Sequence, residues 1–184
     1  MNRFLKWAER EYSAKQRVIA LVVEGMFFII VVPLFLVAGS SYLDQWIGWP
    51  RIVYGLLNHL IGLLCIGIGW LFAVWSIQVQ FTLGRGTPAP IMATQKLVVR
   101  GPYAYCRNPM SLGTILFYLG ISIWAGSLSA TGLTFLFAAV LMAYNKIIEE
   151  KELVARFGSE YLEYKRKTPF LIPRFWRGIK CSPH

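Results

Sequence analysis

NPMSLGTILFYLGISIWAGSLSATGLTFLFAAVLMAYN, residues 108–145, contains no lysine, arginine, aspartate or glutamate. As one straight helix these 38 residues would reach about 57 Å at 1.5 Å per residue. The hydrocarbon core of a bilayer is only ~30 Å thick. The stretch is therefore expected to fold back on itself, and the polar, flexible run AGSLSATG at 125–132 is where it turns. Working outward, two more uncharged stretches, 25–43 and 52–84, are each long enough for one membrane-spanning helix. The expected fold class is an all-α integral membrane protein with about four transmembrane helices, near 18–39, 52–79, 110–126 and 129–147.

Composition and charge agree with this. The chain is 56% hydrophobic and 15% charged, with a mean hydropathy of +0.50. A soluble domain carries about a quarter charged residues and is less than half apolar. Five lysines and arginines lie between Arg3 and Arg17, four between Arg85 and Arg107, and nine from Lys146 onward, leaving Arg51 alone. Cytoplasmic loops are the ones enriched in Lys and Arg, so both termini and the 81–109 loop are expected to be cytoplasmic. The net charge of +10 reads as this topology plus attraction to anionic headgroups. Nucleic acid is not expected as a partner, because no soluble basic face is apparent.

The chain reads as a single membrane domain over 1–184. Residues 1–17 form an amphipathic interfacial segment, with no cleavable signal peptide expected. Residues 18–80 carry the first two spans, 81–109 a cytoplasmic loop, 110–147 a transmembrane hairpin and 148–184 cytoplasmic helices and a tail. Gly55, Gly62 and Gly69 recur every seven residues, as do Gly113 and Gly120, predicting a close helix–helix seam. Trp46 and Trp49 suit the outer interface, and Glu24 is an intramembrane acid near the cytoplasmic end of its span. After the hairpin, KIIEEKELVARFG is helical in pattern, with Gly158 placed to stop it, and SEYLEYKRK predicts a second short helix ended by Pro169.

The chemistry is narrowed first by what is missing. Two histidines and three scattered cysteines support neither a histidine-rich metal centre nor a disulfide framework. No phosphate-cradling glycine loop and no Ser-His-Asp set can be assembled. A diffusible cofactor is therefore the expected carrier of any reactive group. What remains clusters on the cytoplasmic side, in GPYAYCRNPMS at 101–111. Asn108-Pro109 has the form of a helix start, whose free N–H groups beside Arg107 would suit a carboxylate or phosphate. A hairpin returns the chain to the same interface, so Glu149 and Glu150 are expected opposite that start, with Tyr103 and Tyr105 adding aromatic faces. A ligand with a carboxylate, a cation and a flat ring would fit, and S-adenosylmethionine is one.

KLVVRGPYAYCRNPMSLG, followed one hairpin later by EEKELVARFGSEYLEYKRKTPFLIP, resembles the integral-membrane methyltransferases that include isoprenylcysteine carboxyl methyltransferase and the phospholipid N-methyltransferases. The likeness covers about half the chain. It implies an α-helical membrane enzyme with a cytoplasmic cap that binds S-adenosylmethionine, taking a membrane lipid or lipidated substrate from the bilayer. It implies a cofactor strand at Gln95, Lys96, Leu97 and Val98, a turn tyrosine at Tyr103, a hairpin-opening motif at Asn108, Pro109, Met110 and Ser111, and a cofactor-contacting glutamate at Glu149. The isoprenylcysteine enzymes have His-Pro where this chain has Asn108-Pro109, and commonly tyrosine at Ser111. Their substrate-contacting arginine aligns with Asn145. The Asn-Pro-Met form is similar to the phospholipid branch.

The expected reaction is in-line methyl transfer to a lipid-like nucleophile, with positioning of the two reactants as the main contribution. Arg107 and the helix start would hold the methionyl carboxylate, and Glu149 the amino group or ribose hydroxyls. Glu150 or Tyr105 would serve as base for a protonated amine. The alternative is a non-catalytic membrane scaffold or partner subunit that kept the fold.

Overall fold

The computed structural model describes residues 13–52, 55–84 and 94–174, and its regular elements are all helical. The first helix starts at a reciprocal cap: Ser13 Oγ accepts from Gln16 N at 3.3 Å and Ser13 N donates to Gln16 Oε1 at 3.0 Å. From there α1 (Ala14–Met26), a π-turn (Phe27–Val31) and α2 (Val32–Ile47) run on as one rod. Of the expected interfacial segment 1–17, residues 1–12 lie outside the described residues.

The π-turn has an identifiable cause. Val32 N–H bonds Phe27 O rather than Phe28 O, and the next residue, Pro33, has no N–H. Phe28 O is thus left without a helical donor, and the fully buried Tyr118 donates its hydroxyl to it at 2.8 Å. One proline therefore creates a carbonyl that ties this rod to the helix carrying Tyr118.

After Gly55, at φ 59°, come α3 (Leu56–Val79) and a second π-turn (Gln80–Gly84). A 3₁₀ turn (Gly101–Ala104) precedes α4 (Pro109–Ala125). Gly126, left-handed at φ 62°, ends α4, and Ser127 caps α5 (Leu128–Tyr144) by accepting from Ala130 N at 3.0 Å. The fold-back thus falls inside AGSLSATG. A third π-turn (Asn145–Glu149) leads into α6 (Glu150–Lys167), which is broken at Gly158 (φ 53°, ψ −125°).

Three helical rods, Lys15–Ile47, Leu56–Gly84 and Leu128–Lys167, are long and apolar enough to cross a membrane. The fourth apolar helix, α4, has 17 residues and spans about 26 Å, somewhat under the ~30 Å core. Boundaries differ from the sequence-based expectation in three places. The first rod extends past residue 39 to Ile47, because Asp44 is buried rather than solvated. The second begins at Leu56, because Gly55 takes a non-helical conformation. The last continues past residue 147 as far as the break at Gly158, where the sequence placed a stop, and a second helical piece then runs to Lys167.

The helices are small and polar inside and apolar outside. Ser40, Ser76, Ser122, Thr134, Ala130 and Ala138 are buried, while Phe35, Leu60, Leu64, Leu71, Phe135 and Val140 are exposed. In water that distribution would leave most of the apolar surface unburied. In a bilayer it is the expected one, since lipid tails solvate leucine and close packing selects small residues. The tightest contact is α3 against α4. A Cβ on Gly69 would lie 2.6 Å from Gly113 O, and one on Gly62 2.9 Å from Gly120 O. Gly55 is not part of this seam: it has open space around it and belongs to the helix start.

At the end of the bundle away from residues 101–109, Asp44 fixes the α4–α5 turn. Its Oδ2 accepts from Ser127 Oγ at 2.5 Å and its Oδ1 from Ser129 N at 3.1 Å. Asn58 Nδ2 donates to Ile52 O at 2.6 Å and Ile123 O at 3.2 Å. With that end pinned, the opposite end is held at a defined geometry.

Candidate active site

The cleft is built from four pieces of chain. Gly84, closing the second π-turn, offers its carbonyl to Gln95 N at 2.8 Å and Lys96 N at 3.3 Å, which anchors segment 94–100 beside the helix end. The family resemblance implies a strand here; among the described residues none forms. Leu97 and the buried Val98 reach the cleft wall, whereas Gln95 and Lys96 stay outside it.

Gly101, at φ 61°, then turns the chain against α3, where a Cβ would meet Val79 Cγ2 at 3.0 Å. Pro102 O receives the N–H groups of Tyr105 and Cys106 at 3.1 and 3.3 Å. The turn delivers Tyr103 to the cleft, where burial and the neighbouring Glu149 hold its phenol well above the usual range. Tyr105 instead lays its ring 6.3 Å from that of Trp75, outside the cleft wall.

At 107–111 the two N–H groups just before the helix are committed. The N–H groups of Arg107 and Asn108 are not free to hold an anion, because they donate to Pro169 O at 2.9 Å and Phe170 O at 3.2 Å. Asn108 occupies the N-cap position but its side chain makes no cap; Nδ2 donates to Phe170 O at 3.0 Å. Pro109 is buried at the helix start, and Met110 lies off the cleft wall. Ser111 also stands back from the wall, its hydroxyl 2.8 Å from the Asn145 amide.

The two glutamates separate in role. Glu150 is buried and both its oxygens are taken. Arg107 Nη1 pairs with Oε1, and Lys165 Nζ lies 2.6 Å from Oε2. That occupancy is at odds with Glu150 as a general base. Arg107 is itself committed, donating through Nε to Thr168 O at 3.1 Å and through Nη1 to Tyr161 OH at 3.3 Å, with Phe170 stacked 5.4 Å from its guanidinium. Its Nη2 is the donor left over among the described residues.

Glu149 is different. It lines the cleft and has no cationic partner among the described residues. Burial first, then Glu152 and Glu150, push its carboxyl up to about 7. Asn145 sits one π-turn earlier. With its oxygen toward the Ser111 hydroxyl, its nitrogen donates to Glu149 Oε2 at 3.1 Å and Leu141 O at 3.2 Å, which satisfies both ends of the amide. Asn145 thereby supports Glu149 without neutralising it.

Other residues of the cleft escaped the sequence reading. Gln80 and Thr94 lie on one wall, and Leu153, Tyr161 and Tyr164 on another. Tyr164 OH donates to Tyr103 O at 2.7 Å, and the Tyr161 and Tyr164 rings lie 6.1 Å apart. The available signal was two tyrosines three positions apart in an otherwise charged helix, a spacing that places them on one face.

The profile of the family described as Phospholipid methyltransferase matches residues 57–160, which spans α3, the cleft loop, α4, α5 and most of α6. The chain belongs to that family. Similar proteins include two named methyltransferases and one named for metal resistance. The Protein-S-isoprenylcysteine O-methyltransferase of Mus musculus is 31% identical over 151 residues, covering 78% of this chain and 52% of the relative. The Methanethiol S-methyltransferase 2 of Bradyrhizobium diazoefficiens is 28% identical over 135 residues, covering 72% and 45%. The Cobalt-zinc-cadmium resistance protein CzcN of Cupriavidus metallidurans is 35% identical over 102 residues, covering 53% and 47%. The chain thus spans about half the length of these relatives. Family membership supports a membrane methyltransferase. Among the described residues, no three His, Cys, Asp or Glu side chains group as metal ligands do.

Proposed function

We propose that this chain transfers a methyl group from S-adenosylmethionine to a lipid-like acceptor of the isoprenylcysteine-carboxylate or phospholipid-amine type, at the cytoplasmic face of a membrane. The observation that carries the reading is Glu149, a carboxylate without a cationic partner among the described residues, in a cleft lined by Tyr103, Tyr161 and Tyr164. Leaving a half-buried carboxylate uncompensated is costly. The cost is removed when a ligand brings positive charge, and this donor carries an ammonium and a sulfonium.

The donor set fits the cofactor at its cationic and aromatic parts. Glu149 would hold the ammonium, with Asn145 fixing the carboxylate that does so. The tyrosine faces suit the ring and the sulfonium. Leu97 and Val98 would line the apolar side. For the methionyl carboxylate, Arg107 Nη2 would act beside the helix start, because the N–H groups of Arg107 and Asn108 are already used. When bound, the cofactor supplies an electrophilic methyl group. The protein's residues bind, orient and keep water away, the large terms for a direct displacement.

The acceptor would enter from the bilayer beside α4 and α5. The relatives are named for oxygen and for thiol-sulfur acceptors. Calorimetry of the purified chain with S-adenosylmethionine tests the cofactor; absence of binding at millimolar ligand refutes the proposal. Radiolabelled methyl transfer into a total lipid extract tests the acceptor. Base-labile label marks a methyl ester, and label stable to base marks an amine or thioether product.

A further inference from the structure

The cavity of the cleft measures ≈ 50 Å³, whereas sites for drug-sized molecules run to ~300–1,000 Å³. A nucleoside-sized cofactor therefore requires one wall to move. The wall contributed by α6 beyond Gly158 and by segment 168–174 is attached differently from the rest. It follows a break at Gly158 whose φ 53° and ψ −125° suit glycine almost alone, and a Cβ there would meet no atom within 4 Å. A helix continued straight through 158 would carry residues 159–167 along the axis of 150–157, away from the 103–108 loop.

Past the break, what fastens this segment to the cleft loop is mostly polar. Tyr164 holds Tyr103 O, and the Pro169 and Phe170 carbonyls take the Arg107 and Asn108 N–H groups. Arg174 N reaches back to Tyr105 O at 3.1 Å. At the centre stands Glu150, on the near side of the break. It ties Lys165 of the far side directly, and through Arg107 it holds Thr168 O and Tyr161 OH. A segment fastened mainly by hydrogen bonds and ion pairs opens locally at lower free energy than a packed apolar core, even with Glu150, Tyr161 and Thr168 buried beneath it, so this segment is the part of the cleft suited to move as a unit.

We propose that residues 159–174 form a lid over the cleft, hinged at Gly158 and latched by Glu150, which lifts to admit and release the methyl donor. Glu150 is then a positioning residue, acting through Arg107 and Lys165. The proposal rests on the cofactor assigned above, and its test separates the two.

Cys106 is a built-in probe. Its thiol is fully buried in the clamped loop, close enough to Tyr164 of the lid to influence that phenol's titration. In full-length protein carrying Cys181→Ser, in detergent micelles, maleimide labelling of Cys106 and Cys65 is followed separately by mass spectrometry. Glu150→Gln is expected to accelerate Cys106 labelling about tenfold or more, with Cys65, far along α3, unchanged. Lys165→Gln, at a half-exposed side chain, should act in the same direction by about threefold, so the test survives if the first variant fails to fold. Saturating S-adenosylhomocysteine should slow Cys106 labelling in the parent protein, and Glu150→Gln should raise its dissociation rate. Unchanged Cys106 labelling in both variants overturns the lid. So does S-adenosylhomocysteine that binds by calorimetry without protecting Cys106. If the parent binds no S-adenosylhomocysteine at all, the proposed function falls, and the lid is judged on the variant rates alone.

Discussion

Glu149 and Glu150 are adjacent in sequence and alike in chemistry, yet their surroundings give them opposite tasks. Arg107 and Lys165 saturate Glu150, while Glu149 faces the cleft with Asn145 as its polar support. The pH behaviour of ligand binding follows from Glu149. With its carboxyl pushed up to about 7, it is mostly protonated below that pH and ionised above. A ligand ammonium binds the ionised form, so affinity for S-adenosylhomocysteine should rise as pH climbs through 7 and then level off. Below 7 it should fall toward about tenfold per unit, the limit for one linked proton. Calorimetry from pH 5.5 to 8.5 measures this. Glu149→Gln should bind at least about tenfold more weakly at pH 8 and lose the slope; a variant with parental affinity removes Glu149 from the site. Tyr118 is the other residue whose single polar atom matters. Tyr118→Phe leaves Phe28 O unpaired and should cost about 1–2 kcal/mol, read as a lower unfolding midpoint in mixed micelles.

Among the elements, the α3–α4 pair is set by backbone approach. Gly69→Ala places a methyl 2.5 Å from Phe117 N, where neither helix backbone can yield without separating. A loss of about 2 kcal/mol or more is expected from such overpacking, with lower thermal stability and weaker cofactor binding, since α4 starts at the cleft. Gly67→Ala is the matched control. It lies on the same helix with nothing within 4 Å, so it should be neutral or stabilising by up to about 1 kcal/mol through helix propensity. Equal effects at the two positions would contradict the seam. The regular seven-residue spacing was readable in the sequence, but spacing alone could not exclude Gly55, which repeats in register yet serves as a helix start. The π-turns were not read from the sequence. At Phe27–Val31 Pro33 is the local cause, but that Tyr118, 90 residues further along the chain, donates to the displaced carbonyl is recorded in no local pattern.

For the whole molecule, the charge bias makes a prediction about sidedness. With the cleft end cytoplasmic, Lys167→Cys should react with a membrane-impermeant maleimide only in inverted vesicles, and Trp49→Cys only in right-side-out ones. Labelling of both from one side contradicts the topology. Four apolar helices, the fold-back near 126 and the meeting of the 101–111 loop with the 149–150 acids were all legible in the chain. Hydropathy, charge and turn propensity are local properties, and a bilayer ~30 Å thick converts them directly into spans and ends. Which acid is free, which N–H groups are used and what covers the cleft were decided only in three dimensions. Arg107 meets Thr168, Tyr161 and Glu150 across separations of 61, 54 and 43 residues. No local pattern records such pairings: a hydrogen bond or ion pair depends on where a partner lies in space, and only the packed helices bring these partners within reach.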